Sequence, residues 1–257
     1  MAHGIGLSLA HGSFVSDDFI PTGISDLVLW LKYNTGYTSK DDETTAAGNI
    51  DDNDRIKQWD DQSGNDNHAV QTGTADMPRF ESDDNSIKFA NRAKFMDLTE
   101  NISVSANTDF TLIIHVSLAD DFSAASGLFG YGVDDFFRVL RDGTGFRAQI
   151  GDNTNNDWVE ASDVLALDTY YIITLTRSNG ATGDLTVHVH GGAFSDKEWD
   201  AAEGATDADD FTINNVGCET DDTQNMRGFV KDVFVYNGTA LSDEERNKMY
   251  TYINSQV

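Results

Sequence analysis

Short apolar or alternating runs separated by turn-forming clusters recur along the chain from Leu27 onward. Runs of this length between Gly, Asn and Asp clusters are typical of strands in an all-β protein. The clearest predicted strands span residues 86–98, 110–118, 127–131, 136–141, 146–150, 170–177, 185–190, 211–216 and 229–236. With many strands and few helices, the pattern predicts one sandwich domain.

Two of these runs also predict how the strands are arranged. Asp142 and Gly143 lie between two runs and supply the backbone of a tight hairpin turn. In "LTVHVH", residues 185–190, the apolar side chains share one face of the strand, and Thr186, His188 and His190 share the other. This alternation predicts a strand with one solvent-exposed face.

The two ends of the chain differ from the middle. Near the C-terminus, Ser242 and Glu245 have the spacing of a capping box, and Met249 and Ile253 lie four residues apart, so a short helix is predicted to dock on the sandwich. Residues 1–25 show no periodicity and are predicted to form an extended N-terminal arm, followed by the domain at 26–257. The arm would pack on its own domain or dock on a neighbour in an assembly.

The composition is globular but strongly acidic. Of 257 residues, 39% are hydrophobic, and the single Cys218 excludes an intrachain disulfide framework. The net charge is −27, and nine Glu among 44 acidic residues leave 35 Asp. Salt screens the self-repulsion of such a surface, which predicts a saline, marine or halophilic setting, or an acidic protein that binds divalent cations.

The charge and the apolar runs also argue against several partners and locations. No basic patch is available to neutralise phosphates, so nucleic-acid binding is not expected. No run approaches the length of a membrane span, and the first residues lack the features of a secretory signal. We therefore expect synthesis in a host cytoplasm.

The order of several motifs resembles a known family. "QWDDQSGNDNHAVQ" near the start, "PRFESDDNSIKF" after it, the hairpin "YYIITLTRSNGATGDLTVHVHGG" and the closing "GFVKDVFVYNGTALSDEERNKMYTYI" are similar to laminin-G-like, concanavalin A-like jelly rolls. The resemblance covers about residues 24–254. It implies two antiparallel sheets packed face to face, with loops that bind calcium or glycans in some members. This fold hosts lectins, adhesion modules, glycosidases and structural parts.

No catalytic motif is evident in the sequence. A glycosidase of this fold class would be expected to carry "E-x-D-x-x-E" on one strand, which would place two carboxylates about 5 Å apart, and no such string occurs. Nucleophile elbows, HExxH, P-loops and CxxC pairs are also absent. The sequence therefore predicts a protein that is not an enzyme.

Two acidic segments, residues 49–55 and 59–67, contain oxygen donors of the kind that calcium prefers. The candidate metal ligands are Asp51, Asp54, Asp60, Asp61 and Asn65. The favoured alternative is a structural turn built by Asx hydrogen bonds, with roles for Trp59, Asp61, Ser63, Gly64 and Asn67. A metal shared by His188 and His190 is less favoured than a solvated strand face.

Glycan binding would need an exposed aromatic platform. Tyr131, Trp158 and Trp199 are the candidates, because they are expected in loops or at strand ends. Trp30 and Trp59 lie in apolar contexts and are expected to be buried.

These observations predict a non-enzymatic virion structural protein: a capsid decoration, tail or fibre component that contacts other virion proteins through the arm. A homo-oligomer or a lattice-bound protein is expected, located in the virion. The alternative is a carbohydrate-binding, lectin-like module, with calcium as a possible cofactor, that attaches to host glycans. A glycosidase with an unrecognised site is the third and weakest reading.

Overall fold

A computed structural model describes most of the chain. The described residues are 19–39, 50–89, 94–119, 126–131, 135–141, 146–151, 156–161, 165–178, 184–192, 194–200, 210–218 and 225–256. Most of the predicted N-terminal arm and the Asp142–Gly143 turn lie outside these residues. In residues 19–25, Pro21–Gly23 form a single 3₁₀ turn, and Ile24 is buried against the domain.

Two antiparallel sheets face each other. The first contains β1 (Leu27–Leu31), β5 (Arg79–Glu81), β6 (Ser86–Phe89), β8 (Phe110–Leu118), β13 (Tyr170–Ser178), β14 (Asp184–Gly191), β15 (Phe194–Asp200) and β17 (Gly228–Asn237). The second contains β2 (Tyr37–Ser39), β3 (Ile56–Trp59), β4 (Ala69–Val70), β7 (Met96–Val104), β9 (Ser126–Tyr131), β10 (Asp135–Arg141), β11 (Phe146–Gly151), β12 (Asn156–Ala161) and β16 (Phe211–Val216).

The first, eight-stranded sheet has the order β15-β14-β13-β8-β17-β6-β5, with β1 also paired to β17. The second, nine-stranded sheet has the order β12-β11-β10-β9-β16-β7-β4-β3-β2. The predicted all-β sandwich is confirmed. The laminin-G-like family remains a prediction.

One predicted strand proved to be two. The run 86–98 is divided between β6 in the eight-stranded sheet and β7 in the nine-stranded sheet. The chain therefore crosses between the sheets inside what reads as a single apolar segment. Strands β12 and β15 were not predicted, because neither has a clear alternation of apolar and polar residues.

The main core lies between the sheets. In β8, Phe110, Leu112, Ile114 and Val116 point into it and are fully buried. Alternate residues of the same strand point away from the core, onto the outer face of the eight-stranded sheet. The cleft described below lies on this outer face.

The predicted C-terminal helix, α1 (Asp243–Ser255), covers part of that outer face. The capping box is present: the Ser242 side chain accepts from the Glu245 backbone, and the Glu245 side chain accepts from the Ser242 backbone. Met249 and Ile253 are fully buried in a second apolar cluster, as predicted. Among the residues described, no helix is long and apolar enough to cross a membrane.

The helix overturns one expectation about β14. The face that carries His188 and His190 was expected to be wet, yet His188 is 3% exposed. The ring of His190 stacks on Tyr250 of α1, with 4.7 Å between ring centroids. Alternation along a strand separates two faces, but it does not show that the polar face is open to solvent.

Candidate functional site

The segment 59–68 joins the two sheets. Trp59, in the nine-stranded sheet, is fully buried, and its Nε1 donates to the Lys32 carbonyl, 3.0 Å away. The Asp61 carboxylate accepts from the Trp30 N–H of the other sheet at 2.8 Å. The Asn67 side-chain oxygen accepts from the Glu100 N–H of β7 at 2.9 Å. The segment therefore ties the edge strand β1 to the opposite sheet.

The two Asp61 oxygens together accept four hydrogen bonds. Oδ1 accepts from the backbone N–H groups of Trp30 and Ser63, both at 2.8 Å. Oδ2 accepts from the Ser63 hydroxyl at 2.7 Å and from the Asn67 N–H at 3.1 Å. Gly64 has φ +94°, a left-handed conformation that suits glycine. A metal ion would have to displace donors that already satisfy this carboxylate.

The other calcium candidates do not converge. Asp54 accepts from the Asp51 N–H at 3.1 Å, and Asp60 accepts from the Gln58 side chain at 2.7 Å. Asn65 donates to the Leu27 carbonyl at 3.2 Å. Within the described ranges, no three His, Cys, Asp or Glu side chains are grouped in a way that would hold a metal ion.

The predicted aromatic candidates all lie on strands. Tyr131 is the last residue of β9 and is 43% exposed. Trp158 lies inside β12, opposite Gln149, and not in a loop. Trp199 lies near the end of β15, opposite Val187 in the eight-stranded sheet. The three residues therefore belong to three separate strands in two sheets.

A cleft of about 350 Å³ lies on the outer face of the eight-stranded sheet. No motif in the sequence marks it. Tyr170, Ser117 and Phe229 are laterally paired on β13, β8 and β17, and Lys88 continues the row on β6. The residues that line the cleft are Glu81, Asp83, Asp84, Ser117, Asp168, Tyr170 and Phe229.

The close approach of β17 to β8 helps to form this row. A Cβ at Gly228 would clash with the Ser117 carbonyl oxygen, so no larger residue fits there without backbone movement. Gly228 directly precedes Phe229. Because Gly228 has no side chain, β17 packs closely against β8 at this point.

Asp84 and Tyr170 form a hydrogen-bonded pair in the cleft wall. The Tyr170 hydroxyl donates to Asp84 Oδ2, and the Ser86 hydroxyl donates to Oδ1 at 2.5 Å. Burial, and then this bond to Asp84, raises the pKa of Tyr170 far above its usual value. The tyrosine therefore stays protonated and serves as a fixed donor.

A β-bulge in β17 places a lysine beside this pair. The register of β17 against β8 shifts between Val230 and Asp232, so Lys231 is the extra residue. Its Nζ lies 4.1 Å from the centroid of the Tyr170 ring and 5.3 Å from that of Tyr33. Lys231 is 7% exposed, and burial lowers its pKa, although Asp84 and Asp232 act in the opposite direction.

A buried acid and imidazole lie beneath the lysine. Asp232 is fully buried, and its Oδ1 accepts from the Tyr33 N–H at 2.9 Å. Its Oδ2 lies 3.7 Å from His115 Nδ1. The His115 ring meets Tyr170 edge-on, with 5.2 Å between centroids. Polar groups thus extend from the cleft into the sheet.

No protein-family model and no curated protein matches the chain. Solved structures are similar in fold. The Trypanosoma rangeli sialidase in complex with sialic acid is 17% identical, with a TM-score of 0.51, over 90% of this chain and 35% of the sialidase chain. An α-L-arabinofuranosidase is 13% identical, with a TM-score of 0.58, over 88% of this chain and 58% of the other.

Botulinum neurotoxin type C, whose uptake into cells depends on interaction with two ganglioside molecules, is also similar in fold. It is 10% identical, with a TM-score of 0.54, over 89% of this chain and 51% of the toxin chain. The chain therefore spans about a third to three fifths of these three proteins. At such low identity the similarity extends to the β-sandwich fold alone, which is compatible with glycan binding or a structural role.

These similarities correct one prediction. The expectation that this protein is not an enzyme is contradicted, because the structures of similar fold include sialidases and an arabinofuranosidase. The expected glycosidase motif places two carboxylates on one strand. In the fold, Asp168 lines the same cleft as Glu81 and Asp84 from a distant part of the chain, which a motif along one strand does not reveal.

Proposed function

We propose that the cleft on the eight-stranded sheet is a carbohydrate-binding site. The observation that carries the proposal is the combination of an aromatic wall and several carboxylates around one open cleft of about 350 Å³. Its volume lies at the lower end of the range for small-ligand sites, about 300–1,000 Å³.

Each type of lining residue suits a different part of a sugar. The rings of Tyr170 and Phe229 offer apolar surface for the C–H face of a pyranose. Carboxylates such as Asp83 and Asp168, both exposed, accept hydrogen bonds from hydroxyl groups. Hydrogen bonds of this charge-assisted kind are stronger than bonds between neutral groups.

Two proteins of similar fold take sugar-containing ligands, sialic acid for the sialidase and gangliosides for the neurotoxin, which is compatible with a carbohydrate site but does not specify the sugar that this cleft takes. The similarity concerns the fold, so the proposal depends on the cleft itself.

A glycan array tests the proposal, followed by titration calorimetry with whichever glycan binds. Phe229→Ala removes one aromatic wall and is expected to weaken binding about tenfold or more, comparable to losing one buried aromatic contact. Tyr131→Ala removes an exposed aromatic residue of the other sheet and serves as the matched control. Phe229→Leu, which keeps apolar volume, accompanies it in case the alanine variant unfolds.

Binding that survives Phe229→Ala and is lost in Tyr131→Ala would move the site to the nine-stranded sheet. An array with no bound glycan would reject the proposed function.

A further inference from the structure

The charges around the cleft restrict the kind of sugar that it accepts. Four carboxylates line it, from Glu81, Asp83, Asp84 and Asp168. Two cations lie near them: Lys88, whose Nζ is 2.8 Å from Glu81 Oε2, and Lys231. Even with both lysines fully protonated, four negative charges and two positive charges leave a net charge of −2.

Two of the carboxylates are already engaged within the protein. Both oxygens of Asp84 accept hydrogen bonds, from the Tyr170 and Ser86 hydroxyls, and Glu81 pairs with Lys88. The side chains of Asp83 and Asp168 are exposed and have no hydrogen-bond partner among the residues described. These two carboxylates are therefore available as acceptors for ligand hydroxyls.

Lys231 lies behind the cleft wall, against the Tyr170 ring, and is not one of the lining residues. Its Nζ lies over the faces of the Tyr170 and Tyr33 rings, and the carboxylates of Asp84 and Asp232 act on its charge. The bulge in β17 holds this amine against Tyr170, which lines the cleft.

We propose that the cleft selects uncharged sugars and discriminates against sialic acid and other anionic sugars. A neutral sugar has hydroxyls that donate to Asp83 and Asp168 without adding charge to the cleft. An anionic sugar would bring a further carboxylate to a cleft whose net charge is −2 even with both lysines counted, and the like charges repel. This inference rests on the proposed carbohydrate-binding function.

The test compares neutral sugars with their sialylated forms by titration calorimetry at 50 and 500 mM NaCl. The probes are lactose and 3′-sialyllactose, together with a panel of neutral disaccharides. We expect a neutral sugar to bind, and a sialylated form to bind at least about tenfold more weakly at 50 mM NaCl. The ratio is expected to shrink at 500 mM NaCl because salt screens the repulsion.

Two double variants that remove the same number of charges test whether the preference for neutral sugars arises at the cleft. Asp83→Asn with Asp168→Asn removes two cleft charges and is expected to lower the neutral-to-sialylated ratio to about threefold or less. Glu100→Gln with Asp210→Asn removes two exposed charges at the nine-stranded sheet and is expected to leave the ratio unchanged.

The outcomes separate the two proposals. Tighter binding of the sialylated form would overturn the selectivity and leave the carbohydrate site standing. An equal change of the ratio in both variant pairs would attribute it to the charge of the whole protein, which also overturns the inference. If no sugar binds, the proposed function itself fails.

Discussion

Two parts of one sheet face differ sharply in this protein. At one end of the outer face of the eight-stranded sheet, Trp30 and Phe234 stack with 5.7 Å between centroids beneath helix α1. At the other end, Tyr170, Ser117 and Phe229 border an open acidic cleft. The same strands, β8, β13 and β17, pass through both parts, so strand identity does not decide which part is apolar.

The change of character occurs within a few residues along each strand. In β8, Ile113 belongs to the apolar cluster, His115 lies at the boundary, and Ser117 lines the cleft. In β13, Ile172 and Tyr170 are related in the same way. An outward-facing residue is apolar where another element covers it and polar where the face is open, because only covered positions gain from burying apolar surface.

The largest effect is expected from removing a contact between helix α1 and the apolar end of the sheet face. Met249→Ala deletes a fully buried side chain from the helix, and we expect it to lower the free energy of unfolding by about 3 kcal/mol. Chemical denaturation measures the change. Asn247→Ala, at an exposed position of the same helix, is the control and should change stability by less than about 0.5 kcal/mol.

If Met249→Ala lowers the free energy of unfolding by less than about 1 kcal/mol, helix α1 contributes little to the stability of the apolar end of this sheet face. Sugar binding at the cleft should persist in this variant while it remains folded.

The next effect concerns the turn that holds Trp30 in the apolar part. Asp61→Asn keeps the shape of the side chain, but an NH₂ group cannot accept the two hydrogen bonds that Oδ2 receives from Ser63 and Asn67. We expect a loss of about 2 kcal/mol in unfolding free energy. Asp66→Asn removes the same charge from an exposed position of the same loop and should be almost neutral.

Chelation examines the calcium interpretation of the same loop. Since both Asp61 oxygens accept from protein donors, we expect EDTA or added calcium to leave the melting temperature unchanged. A melting temperature that falls in EDTA and recovers with calcium would instead support a metal site among Asp51, Asp54, Asp60, Asp61 and Asn65.

The smallest expected effect on stability comes from Lys231, which lies between the apolar end and the cleft end of the outer sheet face. Because burial lowers its pKa, the unfolded chain binds more protons than the folded one between the folded pKa and about 10.5. Wild-type stability should therefore rise with pH in that window relative to Lys231→Met. We expect Lys231→Met to melt higher by about 2 °C at pH 7, with the difference shrinking towards pH 10.

Melting curves of both proteins at matched pH values measure this difference. A difference that stays constant from pH 7 to pH 10 would contradict the assigned cause.

Several features of the fold followed from local patterns. The strands at 110–118 and 211–216 have the predicted bounds, and the capping box at Ser242 starts the helix as expected. In each case residues close in the chain interact with one another, so their spacing carries the information.

The candidate site could not be predicted in this way. Tyr170 and Asp84 are 86 residues apart, and no spacing rule links them. The sequence motifs drew attention to the oxygen-rich loop around Asp61, whose oxygens hydrogen-bond within the protein. No local pattern marked Lys231 either, because its position depends on a bulge in the pairing of β17 with β8.

The sequence by itself determined that this is an acidic, all-β sandwich with a capped C-terminal helix, because periodicity, turn residues and capping act over a few neighbouring positions. Only the tertiary structure decided which polar strand face is covered and which is open. It also decided that Glu81, Asp84, Asp168 and Tyr170 share one cleft, with Lys231 against the Tyr170 ring. Lateral pairing brings together residues that are distant in the chain, and their separation along the sequence does not encode that pairing.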